Sequence, residues 1–315
     1  MTKIPLLIDT DPGVDDALAL LMAFADDRHE VVGLTIAAGN VGLAHTVANA
    51  LKLCEVAGRS DVPVFPGCES PLLHAAADAA YVHGQDGFGD TGYAQAAHAP
   101  ADEHAALAIL RLSHAHAGRL LLVALGPLTN VALALKLDPT LPQRIARCGV
   151  MGGAVTGHGN MTPSAEFNIF FDPEAAHLVF SAFPQVELAD WEAVVRHGLA
   201  HDDVDRWVGA GTPQAAFYGA ISRQTRTWAH DSRGGRWHCA DALAMALALA
   251  PEGALDMAPR PLTVEIGHGP ARGATLVDWN QRFGGTDNAA ILMAYDQARF
   301  EGMVSGALRR TPTAG

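Results

Sequence analysis

Ile4-Pro5-Leu6-Leu7-Ile8-Asp9-Thr10-Asp11-Pro12-Gly13-Val14-Asp15-Asp16 decides the fold and much of the chemistry. The apolar run from Ile4 to Ile8 is short and bounded by turn formers, as in a strand buried on both faces of a parallel sheet. Pro12-Gly13 makes the turn. From Val14 the apolar spacing changes to Val14, Ala17, Leu18, Leu21, Met22 and Ala25, a helical stripe that places Asp15 and Asp16 in the first turns of a helix. The product is strand, acidic turn, helix, with four carboxylates between residues 9 and 16.

A carboxylate at a helix N-terminus gains only about 0.3–1 kcal/mol from the helix dipole when exposed. Like charges crowded in one site repel and raise one another's pKa, which that gain does not offset. A hard cation with oxygen ligands, Ca²⁺ or Mg²⁺, resolves the conflict. A solvated acidic helix start would explain a lone Asp-Asp pair, but Asp9 and Asp11 on the strand side favour the cation.

The remaining chain supports an enzyme of α/β class. Its 315 residues, 49% of them hydrophobic, can bury a large core. The formal net charge of −13 and the lack of any basic run disfavour a nucleic-acid backbone or an anionic membrane as partner. Cys54, Cys68, Cys148 and Cys239 show no C-x-x-C spacing and are expected to be small core residues in a reducing compartment. The N-terminal apolar run is too short for a signal peptide, and none elsewhere reaches the roughly 18–20 residues of a membrane span, so a cytoplasmic location is expected.

Strand and helix patterns alternate outward from the opening turn. Residues 30–37 predict a strand ended by Ala38-Gly39-Asn40. A helix follows through Val47, Leu51 and Val56, then a strand over 62–65. This βαβαβ order implies right-handed crossovers and an open, mostly parallel sheet flanked by helices. Periodicity fails over 67–100, a long loop carrying Tyr81-Val82-His83-Gly84, and such loops are usually functional. A helix over 102–115, a strand over 120–124, the turn Leu125-Gly126-Pro127, a helix over 128–137 and a strand over 149–151 resume the alternation. Residues 193–249 read as mostly helical. Residues 262–266, 275–278 and 289–293 are expected as short edge or antiparallel strands before a last helix. One domain over 1–308 and a frayed polar tail over 309–315 are the economical organisation.

Open α/β sheets bind ligands at the carboxyl ends of their strands. Asp11, Asp15 and Asp16, Asn40, His83, a carbonyl near Leu125, Asn160, Glu166, Asn168 and Asp241 would converge there. Carboxylates and amides together suit a cation and a polyhydroxylated ligand such as a sugar, whose hydroxyls both donate and accept. Simpler roles exist for several of them: Asn160 as a left-handed turn residue, Glu166 or Asn168 as caps of the helix opening at Asp172, and His83 as a solvated loop histidine. Asp241, inside an Ala/Leu-rich stretch, needs a helix-start role or a metal, because burying an unpaired carboxylate costs several kcal/mol.

Asp9-Thr10-Asp11-Pro12-Gly13-Val14-Asp15-Asp16, Gly126-Pro127-Leu128-Thr129-Asn130, and the run from Gly152-Gly153 through Gly159-Asn160-Met161-Thr162-Pro163-Ser164-Ala165-Glu166-Phe167-Asn168 to Asp172-Pro173-Glu174 resemble the calcium-dependent inosine-uridine-preferring nucleoside hydrolases over nearly the whole chain. The resemblance implies hydrolysis of the N-glycosidic bond of ribonucleosides. It implies Ca²⁺ held by Asp11, Asp16, Asp241 and the Leu125 carbonyl, with Asp11 also the general base. Asp15, Asn40, Asn160, Glu166 and Asn168 would grip the ribose. The family forms dimers and tetramers, so a homodimer or homotetramer is expected.

One position departs from the family pattern. Members commonly place a proton-donating His directly before the last metal Asp, and here that residue is Ala240, in Trp237-His238-Cys239-Ala240-Asp241. Three explanations stay open: His238 or Trp237 swings in as donor, although neither occupies the matching position; Gln224 and Trp228, at i,i+4 on the preceding helix, contact the base; or the leaving group needs little protonation. His83 and His238 are the candidate catalytic histidines. Two rival functions are a nucleoside or ribose sensor that kept the pocket and lost the acid, and an aspartyl-phosphate phosphatase. The latter needs a lysine, and the chain offers only Lys3, Lys52 and Lys136.

Overall fold

The computed structural model describes residues 2–233, 235–282 and 284–310. Twelve strands are described: β1 Ile4–Thr10, β2 His29–Ile36, β3 Val64–Pro66, β4 Leu120–Ala124, β5 Ile145–Met151, β6 Val186–Ala189, β7 Leu199–Ala200, β8 Arg236–Trp237, β9 Ala254–Arg260, β10 Leu262–Val264, β11 Thr275–Val277 and β12 Ala289–Tyr295. Eight form one sheet in the order β3-β2-β1-β4-β5-β6-β12-β9. All neighbours in it are parallel except β12 and β9. The β7–β8 and β10–β11 pairs are small antiparallel ladders of their own.

The opening stretch behaves as its pattern requires. β1 is followed by the helix Val14–Ala25, and Leu6 and Ile8 point into one core cluster while Leu7 points into the other. Both faces of the sheet are therefore buried, as continuous apolar strands demand. One face carries the helices Val14–Ala25, Ala240–Leu249 and Gln297–Arg309; the other carries Ala105–Ala115 and Thr129–Leu137. From β1 the sheet grows one way through β2 and β3 and the other way through β4 and β5. The crevice beyond the carboxyl ends of β1 and β4 is thus a topological switch point, where such folds bind ligands.

The structure departs from the sequence expectations in the second half. β6 and β9 stand where no strand was expected. β12 pairs antiparallel with the edge strand β9, as expected of an antiparallel strand, but it lies inside the sheet and is also parallel to β6. Arg309 closes the last helix, and Arg310 donates to the Ala25 carbonyl and to Asp27. Residues 311–315 lie outside the described residues. Residues 67–100 are largely irregular, interrupted by β-free turns and the short helix Ala80–His83. All four cysteines are free, with Cys54, Cys148 and Cys239 buried and Cys68 partly so. Among the described residues no helix is long and apolar enough to cross a membrane.

Candidate active site

Parallel register brings the turns together. Asp9 pairs with Ala124 and Thr10 with Ile36, so the segments that follow β1, β2 and β4 leave the sheet side by side. The amide of Leu125 donates to the Asp9 carbonyl at 2.8 Å, and that of Ala37 to the Thr10 carbonyl at 3.0 Å. Asp11 is consequently flanked by the Gly39-Asn40 and Leu125-Gly126 turns. Its Oδ2 accepts from the Asn40 amide at 2.7 Å, and Asn40 Nδ2 donates to the Asp11 carbonyl at 3.1 Å. The same Nδ2 donates to Asp16 Oδ2 at 2.9 Å, and Thr10 Oγ1 donates to Asp16 Oδ1.

Four aspartates share this crevice. Oxygens of Asp15, Asp16 and Asp241 lie within 4.8 Å of one another, and Asp11 adjoins them. Burial and neighbouring carboxylates push Asp11 and Asp241 well above the usual carboxylate range. Asp16 is raised to about 6, by burial first and Asp15 second. Asp9 is raised to about 7 by burial alone, against hydrogen bonds from Thr35 at 2.6 Å and Asn130 at 2.9 Å. No lysine or arginine lines the cavity among the described residues. Crowded buried oxygens with no cationic side chain are the donor set of a hard divalent cation. They give no support to a phosphatase, whose phosphoryl charge needs a lysine.

The Gly-rich segment closes the opposite wall. Glu166 caps the helix Phe167–Phe171: its Oε1 accepts from the Asn168 amide at 2.9 Å, and its Oε2 from Ile169 at 3.2 Å and Gly153 at 2.9 Å. Its capping role is therefore real, yet it also lines the cavity, and burial raises it to about 7 despite three amide donors. Asn160 Oδ1 accepts from the Phe167 amide at 2.9 Å, which orients its amide group. Asn168 Nδ2 donates to the Leu125 carbonyl at 2.6 Å and so joins two walls.

His83 also reaches the cavity. Its Nδ1 accepts from the Val14 amide at 3.1 Å and lies 3.9 Å from Asp15 Oδ1. It crowds over Gly13 beside Asn40, where a Cβ would meet His83 Nδ1 at 2.7 Å and Asn40 Nδ2 at 2.8 Å. His238 lines the cavity edge-on to Trp191, with ring centroids 5.8 Å apart. Trp228 lines it edge-on to Tyr81, at 6.4 Å.

Gln224 is the one candidate that the structure keeps out. The helix Pro213–Arg233 turns Thr225, Trp228 and Ala229 inward, at i, i+3 and i+4, and leaves Gln224 exposed toward Gly89. Thr225 is the inward residue that sequence reasoning missed; its hydroxyl donates to the Val82 carbonyl at 2.9 Å and ties this helix to the His83 loop. Phe167 and Trp191 were likewise unread as site residues, because a single aromatic carries no periodic signal.

Two glycines hold the space that Asp11 occupies. A Cβ on Gly126 or Gly39 would collide with the Asp11 carboxylate. Gly126→Ala is therefore expected to shift that group and lower kcat by about 100-fold, the effect of a misplacement near 1 Å. Circular dichroism should show an unchanged fold. Wild-type turnover in Gly126→Ala would refute the tight fit.

Comparison with known proteins agrees with this geometry. Residues 6–302 match the family model described as inosine-uridine preferring nucleoside hydrolase. The chain is 32% identical to the pyrimidine-specific ribonucleoside hydrolase RihA of Escherichia coli, over 97% of this chain and 98% of that protein. It is 39% identical to uridine nucleosidase 1 of Arabidopsis thaliana, over 63% of this chain and 60% of the plant protein. Among solved structures, a plant nucleoside hydrolase superposes with a TM-score of 0.91 at 28% identity, covering 98% of this chain and 99% of that one. A purine-preferring ribonucleoside hydrolase from Gardnerella vaginalis gives 0.90 at 27% identity, covering 97% and 99%. A strand-end crevice lined by aspartates and amides, on a chain whose residues 6–302 match the family model, places this protein in the inosine-uridine preferring nucleoside hydrolase family, enzymes that cleave the N-glycosidic bond of ribonucleosides.

Proposed function

We propose that this protein hydrolyses ribonucleosides to ribose and free base with Ca²⁺ in the aspartate cluster and Asp11 as general base. The observation that carries this is the convergence of four buried or half-buried aspartates with no cationic side chain, opposite an amide-rich wall. Asp11, Asp16, Asp241 and the Leu125 carbonyl would hold the ion, with Asp15 close enough to share it. When bound, the ion offsets the crowded negative charge and acidifies water.

The chain's own groups do the rest. Asp11, raised by burial and by Asp16, accepts the proton of the attacking water. Asn40, Asn160, Glu166 and Asn168, each with a side chain oriented by at least one hydrogen bond to the backbone, grip the ribose hydroxyls with Asp15. As the C1′–N bond breaks, the sugar becomes oxocarbenium-like, and the acidic walls stabilise its positive charge. A cytoplasmic location is the reading that the short N-terminal apolar run supports, and a homodimer or homotetramer is what the family resemblance implies.

A reducing-sugar assay over a nucleoside panel tests this. Ribose release should vanish with chelator and return with Ca²⁺. Tight nucleoside binding with no ribose release under any metal condition would refute the hydrolase and favour a sensor.

A further inference from the structure

Asn49 is fully buried on the helix Leu43–Val56, yet it lines no part of the cavity. On the inner face of a helix an apolar residue would pack without needing partners, so a buried asparagine there asks what it holds. Both ends of its carboxamide are used. Nδ2 donates to the Pro12 carbonyl and to the Asp86 carbonyl, each at 2.9 Å, and Oδ1 accepts from the Tyr93 hydroxyl. One side-chain nitrogen thus joins the aspartate turn to the segment that follows His83.

That segment is a stiff block. Asp86 Oδ1 accepts from the Phe88 and Asp90 amides at 2.7 and 3.0 Å, and Asp90 Oδ1 from the Gln85 and Asp86 amides at 2.7 and 3.2 Å. Phe88 is fully buried against the rings of Tyr93 and Phe217, with centroids 5.6 and 5.8 Å away. The Gly89 amide donates to the His83 carbonyl at 2.7 Å, which fastens His83 to the block. From the other side the Val14 amide, two residues after Pro12, donates to His83 Nδ1 at 3.1 Å. The bonds close a circuit from Pro12 through Val14, His83, Asp86 and Asn49 back to Pro12. It has little slack, since a Cβ on Gly87 would meet Asn49 Nδ2 at 2.8 Å. With Nδ1 accepting, the proton of the neutral ring is on Nε2, so the circuit fixes how His83 presents a donor in the cavity wall.

We propose that Asn49 is a positioning residue for the hydrolysis: it sets the gap between the aspartate turn and the block after His83, and with it the place of the His83 ring. This rests on the hydrolase function proposed above. The aspartate turn has other holds, from Asn40 to the Asp11 carbonyl and to Asp16, and from Thr10 and the Gly13 amide to Asp16. Loss of Asn49 should therefore displace His83 more than the aspartates.

A double-mutant cycle on the Ca²⁺-loaded full chain tests this, with ribose release from its best-cleaved nucleoside as the readout. Asn49→Leu keeps the size and removes all three bonds; it should lower kcat/KM about 100-fold, mostly in kcat, as a misplacement near 1 Å does. His83→Ala should lower it by about 100-fold or more. Within His83→Ala, Asn49→Leu should then cost no more than about threefold, because the group that it positions is gone. Tyr93→Phe leaves both carbonyls satisfied and decides the question if Asn49→Leu does not fold: about a fivefold loss in the wild type, and none within His83→Ala. Losses of equal size in the two backgrounds would make Asn49 a purely structural residue and overturn the proposal, as would wild-type turnover in Asn49→Leu or His83→Ala. No ribose from the wild type with any nucleoside would overturn the hydrolase reading as well.

Discussion

Asp11→Asn should lose ribose release by about 10³-fold while the protein stays folded. Asparagine matches the carboxylate in size, which matters because Gly39 and Gly126 leave no room for anything larger. Its side-chain oxygen can still accept from the Asn40 amide, so the turn after β2 keeps its anchor. The lost properties are the charge and the capacity to take a proton. Removing the Asp11 charge from a cluster in which it helps to raise Asp241, and is itself raised by Asp16, also relieves repulsion. The cation-free variant should therefore melt no lower than the cation-free wild type. More than about a tenth of wild-type activity in Asp11→Asn would rule this residue out as the base.

Ca²⁺ should stabilise the fold, and more at pH 8 than at pH 5.5. Carboxylates whose folded pKa is raised favour the protonated form, so with no cation bound they cost nothing below about pH 4, where folded and unfolded chains both hold the proton. The penalty grows as pH rises through the folded values, about 6 for Asp16 and about 7 for Glu166, and is complete above them. Proton and metal compete for the same oxygens, so the ion replaces a proton at pH 5.5 and relieves bare repulsion at pH 8. At a hundredfold excess over Kd, binding contributes about 2.7 kcal/mol. At roughly 2 °C per kcal/mol for a chain of this size, that is about 5 °C in Tm. Melting curves with and without Ca²⁺ at the two pH values measure it. An equal or larger shift at pH 5.5 would show that the cluster does not titrate against the ion.

The first half of the fold is legible because its physics is local. In residues 4–25 the apolar period changes from a buried strand to a helix across a Pro-Gly turn, and the structure follows it. β6 was not legible because its four residues, Val186 to Ala189, include a glutamate and carry too short a pattern to register. β9 contains Pro259 and is half exposed, so its strand character comes from pairing with β12 and not from its own sequence. The position of β12 depends on which edge is open when it docks, a property of the whole sheet.

The site divides in the same way. Crowded carboxylates announce themselves, since their repulsion demands a remedy. Scattered aromatics such as Phe167 and Trp191 acquire meaning only when distant segments meet. Gln224 shows the limit of helix spacing: the i,i+4 relation to Trp228 is correct, but the inward face is set by Thr225 and Ala229, which a helical wheel alone does not reveal.

The interior position of β12 also bears on how the protein is made. The neighbours that it separates, β6 and β9, are synthesised earlier, and β9 touches the sheet only through β12. While residues 289–295 are still inside the ribosome, the nascent sheet ends at β6, with the hydrogen-bonding groups of an apolar strand exposed along one side. Such an edge is a template for pairing with another chain. The sheet therefore stays unfinished until residues 289–295 emerge, and this last strand covers the open side of β6.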